Sequence, residues 1–306
     1  MRRLLLWMAG NPRLRRNLPR LWFARRAVRR FMPGETADQA LAAAERFAEQ
    51  DTAVLFTLLG ENLTQLADAE AHADEYLELI GEINRRGIDG EVSVKPTQLG
   101  LDLDPAVALG HLRRLAEAAA PRTVWLDMEG SAYTEATMQL YEALKAEHPN
   151  SGLCLQSYLK RTHSDVQRLM PLQPRIRLVK GAYAEPAEIA YRSRREVDAN
   201  YLALCVWMLE QLRNGQPVFL GLGTHDVELV GQVADYARSA GFEGVPFDVE
   251  MLYGIRTDEQ RRLQAAGYPV RVLIAYGRAW YPWYMRRLAE RPANVIFALR
   301  QLLPPW

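Results

Sequence analysis

Residues 174–191, PRIRLVKGAYAEPAEIAY, hold two cations in an apolar setting. Ile176, Leu178 and Val179 read as a buried strand, yet Arg177 and Lys180 sit inside it and Gly181 ends it. A buried charge without a partner is costly, so an anionic group must meet these side chains. Other β-rich runs also end in polar groups: Glu61, Lys95, Asp127, Gln156, Thr224 with His225, and Glu250. Strand alternation puts Ser93 with Lys95, Trp125 with Asp127, Cys154 with Gln156, Asp248 with Glu250, and Arg177 with Val179 and Gly181. It also aligns Leu220, Leu222 and Thr224, and turns Lys180 away from Arg177 unless the strand is already bending. Lys95, Asp127, Gln156, Arg177, Thr224 and Glu250 are thus expected to converge. Arg286 and Arg287, in WYPWYMRRLAER (280–291), are adjacent on a helix and diverge by about 100°. They reach one anion only if that helix lies across the site; otherwise Glu290, four residues from Arg286, makes an ordinary helix-surface ion pair.

The elements that position these residues follow from periodicity. Strand-like runs cover 52–61, 91–97, 123–130, 152–158, 175–183, 217–226, 245–254 and 270–277. Helical spacing covers 35–50, 68–87, 105–119, 134–147, 163–170, 188–214, 226–241 and 257–266. Strands alternating with helices predict a parallel sheet, and eight such units predict a closed (β/α)8 TIM barrel, whose sites form at the C-terminal strand ends. An open doubly wound sheet usually begins with G-x-G-x-x-G; here Gly221-Leu222-Gly223 lacks the third glycine. The expected organisation is an α/β barrel domain over 35–306 with a basic helical extension over 1–34.

Bulk properties exclude several classes. The 306 residues are 49% hydrophobic and 25% charged with a net charge of +1, ordinary for a globular protein and without a global signal for nucleic acid. Cys154 and Cys205 lie in apolar runs and read as buried thiols, and the five histidines show no metal-ligand spacing. No apolar stretch approaches the roughly 18 to 20 residues of a membrane span. There are four lysines, Lys95, Lys145, Lys160 and Lys180, and two of them fall at strand ends. Residues 1–34 carry ten arginines and no acid, interleaved with Trp7, Leu21, Trp22 and Phe23. Three readings of this segment stand: short helices packed on the body, peripheral contact with an anionic membrane surface, or a targeting peptide.

The runs RLVKGAY (177–183), LGTHD (222–226) and YMRRLAER (284–291) resemble the proline dehydrogenase family. LGE (59–61), SVKPTQLG (93–100), LDMEG (126–130), QSYLKR (156–161) and FDVEMLYG (247–254) fit the same pattern in the same order. The resemblance runs from about residue 36 to the C-terminus and is to the compact monofunctional form. It implies a distorted barrel holding FAD non-covalently and oxidising L-proline to 1-pyrroline-5-carboxylate by hydride transfer to flavin N5. Electrons would pass to a membrane quinone, placing the protein in the cytoplasm with a peripheral position at the inner membrane as an extension. Lys95, Arg286 and Arg287 would bind the substrate carboxylate, and Tyr183 would wall the proline site. Asp127 and Arg177 would be the active-site pair, and Met128, Gln156, Arg177, Val179, Lys180, Gly181, Thr224 and His225 would contact FAD. Glu61 and Glu290 are candidates for a gate over the substrate.

One departure bears on specificity. Strand eight of the family commonly reads Tyr-x-Pro-x-Gly, and here Leu273 takes the place of that tyrosine. A related cyclic or secondary amino acid is therefore an alternative substrate. Tyr276 lies on the opposite face by alternation and does not replace it. From other classes, a Schiff-base aldolase using Lys95 or Lys180 and a non-catalytic binding barrel are the rivals.

Overall fold

The computed structural model describes residues 2–18, 21–60 and 63–290. Eight parallel strands close on themselves in sequence order, with β8 hydrogen-bonded to β1. They are β1 (Ala53–Leu58), β2 (Gly90–Val94), β3 (Val124–Leu126), β4 (Ser151–Gln156), β5 (Arg175–Val179), β6 (Phe219–Gly223), β7 (Asp248–Leu252) and β8 (Val270–Tyr276). The helices are α1 (Arg2–Gly10), α2 (Pro12–Asn17), α3 (Trp22–Val28), α4 (Ala37–Ala48), α5 (Leu66–Arg86), α6 (Pro105–Ala119), α7 (Thr134–Glu147), α8 (Thr162–Leu169), α9 (Arg194–Arg213), α10 (Val227–Ser239), α11 (Thr257–Ala265) and α12 (Trp280–Glu290). The expected (β/α)8 barrel is the fold.

Local chemistry sets the element ends. Thr36 accepts from the Gln39 amide while the Gln39 side chain returns to the Thr36 amide, so α4 starts in a closed capping box. Ser193 and Glu196 make the same box at α9. That cap explains one difference from expectation: helical spacing starts at 188, but Pro186 and an isolated antiparallel bridge between Leu159 and Ala190 keep the chain extended or turning until Ser193.

Outward strand residues such as Val54, Phe56, Val92, Val124, Leu178, Leu222 and Val249 are buried under the helices in one continuous core. The inward face is unusually polar for a barrel. Arg177 on β5 reaches Ser93 on β2 and Asp127 just past β3, strands that are not its neighbours, so these contacts cross the interior. Deeper down, Glu91 accepts from the Trp125 indole at 2.7 Å, and Arg271 lies within 3.8 Å of Glu91 and 3.7 Å of Asp248.

The departure from a regular barrel is in the last helix. α4, which precedes β1, packs on β1 and β8, the outer position usually filled by the helix after β8. α12 is displaced to the mouth. Its Trp280, Trp283, Tyr284, Met285 and Leu288 form a second apolar cluster with Leu59, Ala275 and the partly buried Leu273 at the barrel end. Leu5 of α1 and Ala27, Val28, Phe31 and Met32 close the cluster from above. The N-terminal helices therefore pack on the body, while Trp7, Leu21 and Trp22 stay exposed at 61%, 40% and 72%.

Candidate active site

The mouth is built on β2, β3 and β5. Lys95 follows β2 and donates from Nζ to Asp127 Oδ2 at 3.0 Å and to Thr57 Oγ1 at 3.5 Å. Asp127 follows β3, and its Oδ1 accepts from Ser93 Oγ at 2.7 Å and Arg177 Nη2 at 2.5 Å. Arg177 also donates to Ser93 Oγ at 2.6 Å and to Glu250 Oε2 at 3.3 Å, and its guanidinium lies 5.1 Å from the centre of the Trp125 ring. The arginine that the strand pattern left unexplained is thus held by two carboxylates, a hydroxyl and an aromatic face.

The charges tune each other. Burial alone would raise the Asp127 carboxyl, but Lys95 and then Arg177 outweigh it and hold it below the usual range. Burial works against the Arg177 charge, yet the carboxylates of Glu250 and Asp127 outweigh it and push its pKa up. For Glu250 burial wins over the attraction of Arg177 and Arg271, and its pKa rises to about 7.

The other expected residues fall as follows. Gln156 ends β4, donates to the carbonyls of Met128 at 3.2 Å and Glu129 at 3.3 Å, and leaves Oε1 buried without a hydrogen-bond partner. Val179 is half-buried at the C-terminal end of β5, and its carbonyl accepts from the Ser157 amide at 2.8 Å. Gly181 has φ +111°, where a side chain is strained, and a Cβ there would come within 2.3 Å of the Tyr158 ring. Lys180 points away from Arg177, as alternation requires, and its Nζ lies 2.5 Å from Asp198 and 2.8 Å from Asp226. His225 accepts from the Leu252 amide through Nε2 at 3.4 Å. Tyr183, in the loop after β5, lies under Arg286, 5.7 Å from its guanidinium. Arg287 is half-buried beside Arg286. α12 therefore brings Arg286 to the loop that follows β5. Leu273 faces inward, paired in register with Leu55 and Leu252, and Tyr276 is fully buried on the outer face.

β6 brings a correction to the alternation that aligned Leu220, Leu222 and Thr224. Leu220 and Leu222 face outward into the helix-covered core, and the inward face of β6 is Gly221 and Gly223. Thr224 lies beyond the strand end and accepts from the Asp226 amide at 3.1 Å. Glu61 lies outside the described residues, as does the Glu290 side chain, so neither half of the expected gate is placed.

Several participants were not singled out from sequence. Ser93 bridges Asp127 and Arg177, and its place on the Lys95 face was the available signal. Glu129 accepts from Thr97 N at 3.0 Å and Oγ1 at 2.7 Å, clamping the turn after Lys95. Glu185 accepts from Ser131 N at 2.8 Å and from its hydroxyl, tying the Tyr183 loop to the segment after β3. Asp198 and Asp226 are brought to Lys180 only by tertiary structure. Among the described residues no group of His, Cys, Asp and Glu could hold a metal ion.

Comparison with known proteins decides the family. Residues 40–300 match the model of the proline dehydrogenase family. The chain belongs to the proline dehydrogenase family. It is 32% identical over 305 residues to Proline dehydrogenase 1 of Bacillus subtilis (strain 168), covering 99% of both chains. It is 35% identical over 281 residues to the proline dehydrogenase of Deinococcus radiodurans, covering 90% of this chain and 89% of that one. The fold is that of proline utilization A from Bdellovibrio bacteriovorus, with a TM-score of 0.81 at 20% identity. That alignment covers 94% of this chain and 38% of the longer one. Among the described residues no helix is long and apolar enough to cross a membrane.

Proposed function

We propose that the chain oxidises L-proline to 1-pyrroline-5-carboxylate with non-covalently held FAD, passing the electrons to a membrane quinone. The observation that carries this reading is the buried Lys95–Asp127–Arg177 cluster at the barrel mouth, with Arg286 brought over Tyr183 above it. The residues fit a flavin. A buried guanidinium suits a ring system that gains negative charge on reduction. The unpartnered Gln156 Oε1 suits a ring N–H, and Gly181, at φ +111°, puts backbone without a side chain at the end of β5. When bound, FAD supplies the hydride acceptor at N5. Arg177, Gln156, Val179, Gly181, Met128, Thr224 and His225 are the residues assigned to hold it, with Lys180 reaching it only by sharing its two carboxylates.

The substrate side follows from donor geometry. Lys95 spends two of its three ammonium hydrogens on Asp127 and Thr57, leaving one for a carboxylate. Arg286 and Arg287 add planar bidentate donors from above. The clamp aims the ring C–H beside nitrogen, and the apolar cover of Trp280, Tyr284 and Leu288 restricts water. The substrate loses a hydride from carbon and a proton from nitrogen to become an imine. A Schiff-base lysine fits poorly, because Lys95 and Lys180 are each engaged by carboxylates.

Leu273 supports a second reading of the substrate. It lines the mouth where an apolar wall offers no hydroxyl contact, so a related cyclic or secondary amino acid is the alternative. The exposed Trp7, Leu21 and Trp22 support peripheral contact with an anionic bilayer, where a quinone resides. Anaerobic bleaching of the flavin by L-proline, hydroxyproline, pipecolate and small N-methyl amino acids tests the reading. A purified protein with no flavin, or a flavin that none of them bleaches, would refute it.

A further inference from the structure

Glu250 is a buried charged group for which the reaction described above has no use. It sits at the centre of β7 and faces the barrel interior at 5% exposure. Its Oε2 is 3.3 Å from Arg177 Nη1, and its Oε1 is buried with no hydrogen-bond partner. Its surroundings come from its own strand, from the adjacent β8 and from strands across the barrel. β5 offers Arg177, β8 offers Arg271, β2 offers Glu91, and Asp248 lies two residues away on β7 itself. The Tyr201 hydroxyl of α9 is nearby, while β6 presents only Gly221 and Gly223.

The two arginines are already committed elsewhere. Arg271 is shared among Asp89, Glu91 and Asp248 at 3.5, 3.8 and 3.7 Å. Arg177 is closer to Asp127, at 2.5 Å, than to Glu250, at 3.3 Å. Asp127 is further supported by Lys95 and keeps its charge. Two carboxylates thus compete for one guanidinium, and Glu250 is the weaker competitor, with half of its hydrogen-bonding capacity unmet. A group so placed is the one that gives way when the charge around Arg177 changes.

We propose that Glu250 is a positioning residue that switches between acid and carboxylate, and that its state sets how far Arg177 is drawn away from the barrel mouth. This rests on the reading that Arg177 faces the flavin. As a carboxylate, Glu250 pulls the guanidinium inward; as an acid, it releases Arg177 to a negative charge above. Negative charge arriving at the mouth removes the partner that stabilised the carboxylate, and Glu250 takes one proton from solvent. Loss of that charge on reoxidation returns the proton. No bond other than O–H is made or broken at this residue. Burial already lifts the Glu250 pKa to about 7, so both states are within reach near neutrality.

The test compares wild type with Glu250→Gln by two measurements. In flavin-free protein, infrared titration should show a protonated-carboxyl band that disappears on passing upward through neutrality and is missing from Glu250→Gln. In flavin-loaded protein, the plot of flavin reduction potential against pH should bend near neutrality, and Glu250→Gln should lose that bend. Glu250→Asp, which withdraws the carboxyl by one methylene, should keep both signals at a shifted pH, and it serves if Glu250→Gln does not fold. A bend that survives in Glu250→Gln, or a Glu250 ionised throughout the titration, would overturn the proposal. A protein that binds no flavin would overturn the flavin reading instead, leaving the infrared titration to decide whether Glu250 exchanges a proton.

Discussion

Replacing Asp127 by asparagine removes the one carboxylate that both mouth cations share, and its cost can be worked out. Lys95 and Arg177 lie 3.0 and 2.5 Å from Asp127, and their side chains are only 9% and 4% exposed. At an effective dielectric constant of about 20, each attraction is worth roughly 6 kcal/mol before desolvation. Desolvation of the ions, several kcal/mol each, offsets most of that, and breaking a buried pair by removing one partner costs about 3 to 5 kcal/mol net. Glu250 still holds Arg177 and Ser93 still has a partner, so Asp127→Asn should fall near the lower end, at about 3 kcal/mol. Urea unfolding at neutral pH measures it. Lys95→Met in the same background should recover about 1 to 2 kcal/mol, because the second substitution removes a stranded cation. The pH dependence has a fixed sign. The Asp127 pKa is depressed, so its contribution is present above the unfolded value of ~3.9 and is lost as pH falls through the folded value. Wild type and variant should therefore converge in acid. A cost below about 0.5 kcal/mol with an additive Lys95→Met cycle would mean that these charges are solvated independently, and the account of the mouth would be wrong.

Three other predictions follow from geometry. Glu250→Gln should flatten the pH dependence of stability between about 4.5 and about 7. With a raised pKa the folded state loses stability as pH rises through that window, by at most ~3 kcal/mol, and thermal unfolding across the range reads the slope. Gly181→Ala should destabilise the protein by at least ~1 to 3 kcal/mol and disturb the site, because φ +111° and the Tyr158 ring at 2.3 Å both reject a methyl group; an unchanged melting temperature and flavin content would contradict this. Trp7→Ala combined with Trp22→Ala should weaken cosedimentation with anionic vesicles about tenfold or more without altering the melting temperature, since both rings are mostly exposed.

The barrel was legible because strand and helix periods alternate without a break, and because ionisable residues recur at the strand ends. Lys95, Asp127 and Arg177 were placed together by alternation alone, and the structure joins them by direct hydrogen bonds. The same rule failed on β6. In a parallel barrel both strand faces are buried, so hydrophobicity does not distinguish them. Leu220 and Leu222 pointed to an inward face that in fact belongs to the glycines, and Thr224 lies past the strand end, where alternation no longer fixes a face. The late start of α9 was readable in Ser193 and Glu196, whose capping spacing outweighs the helical pattern before it. The partners of Lys180 were beyond reach, since Asp198 and Asp226 meet it only when two separate helices converge on the end of β5. Leu273 was correctly set inside and Tyr276 outside, because β8 keeps strict alternation to its end.

The exchange of positions between α4 and α12 also imposes an order on assembly. A helix made before the first strand fills the outer slot beside β8, and the helix that carries Arg286 and Arg287 is made after every strand. During synthesis the ring of strands, with the Lys95, Asp127 and Arg177 side chains inside it, is complete in the chain before its cover exists. The helices preceding α4 must wait for α12 before their apolar faces have a partner. Until then the ribosome carries a cup without a ceiling, and Arg286 meets the loop after β5 only once the ring of strands beneath it has been made.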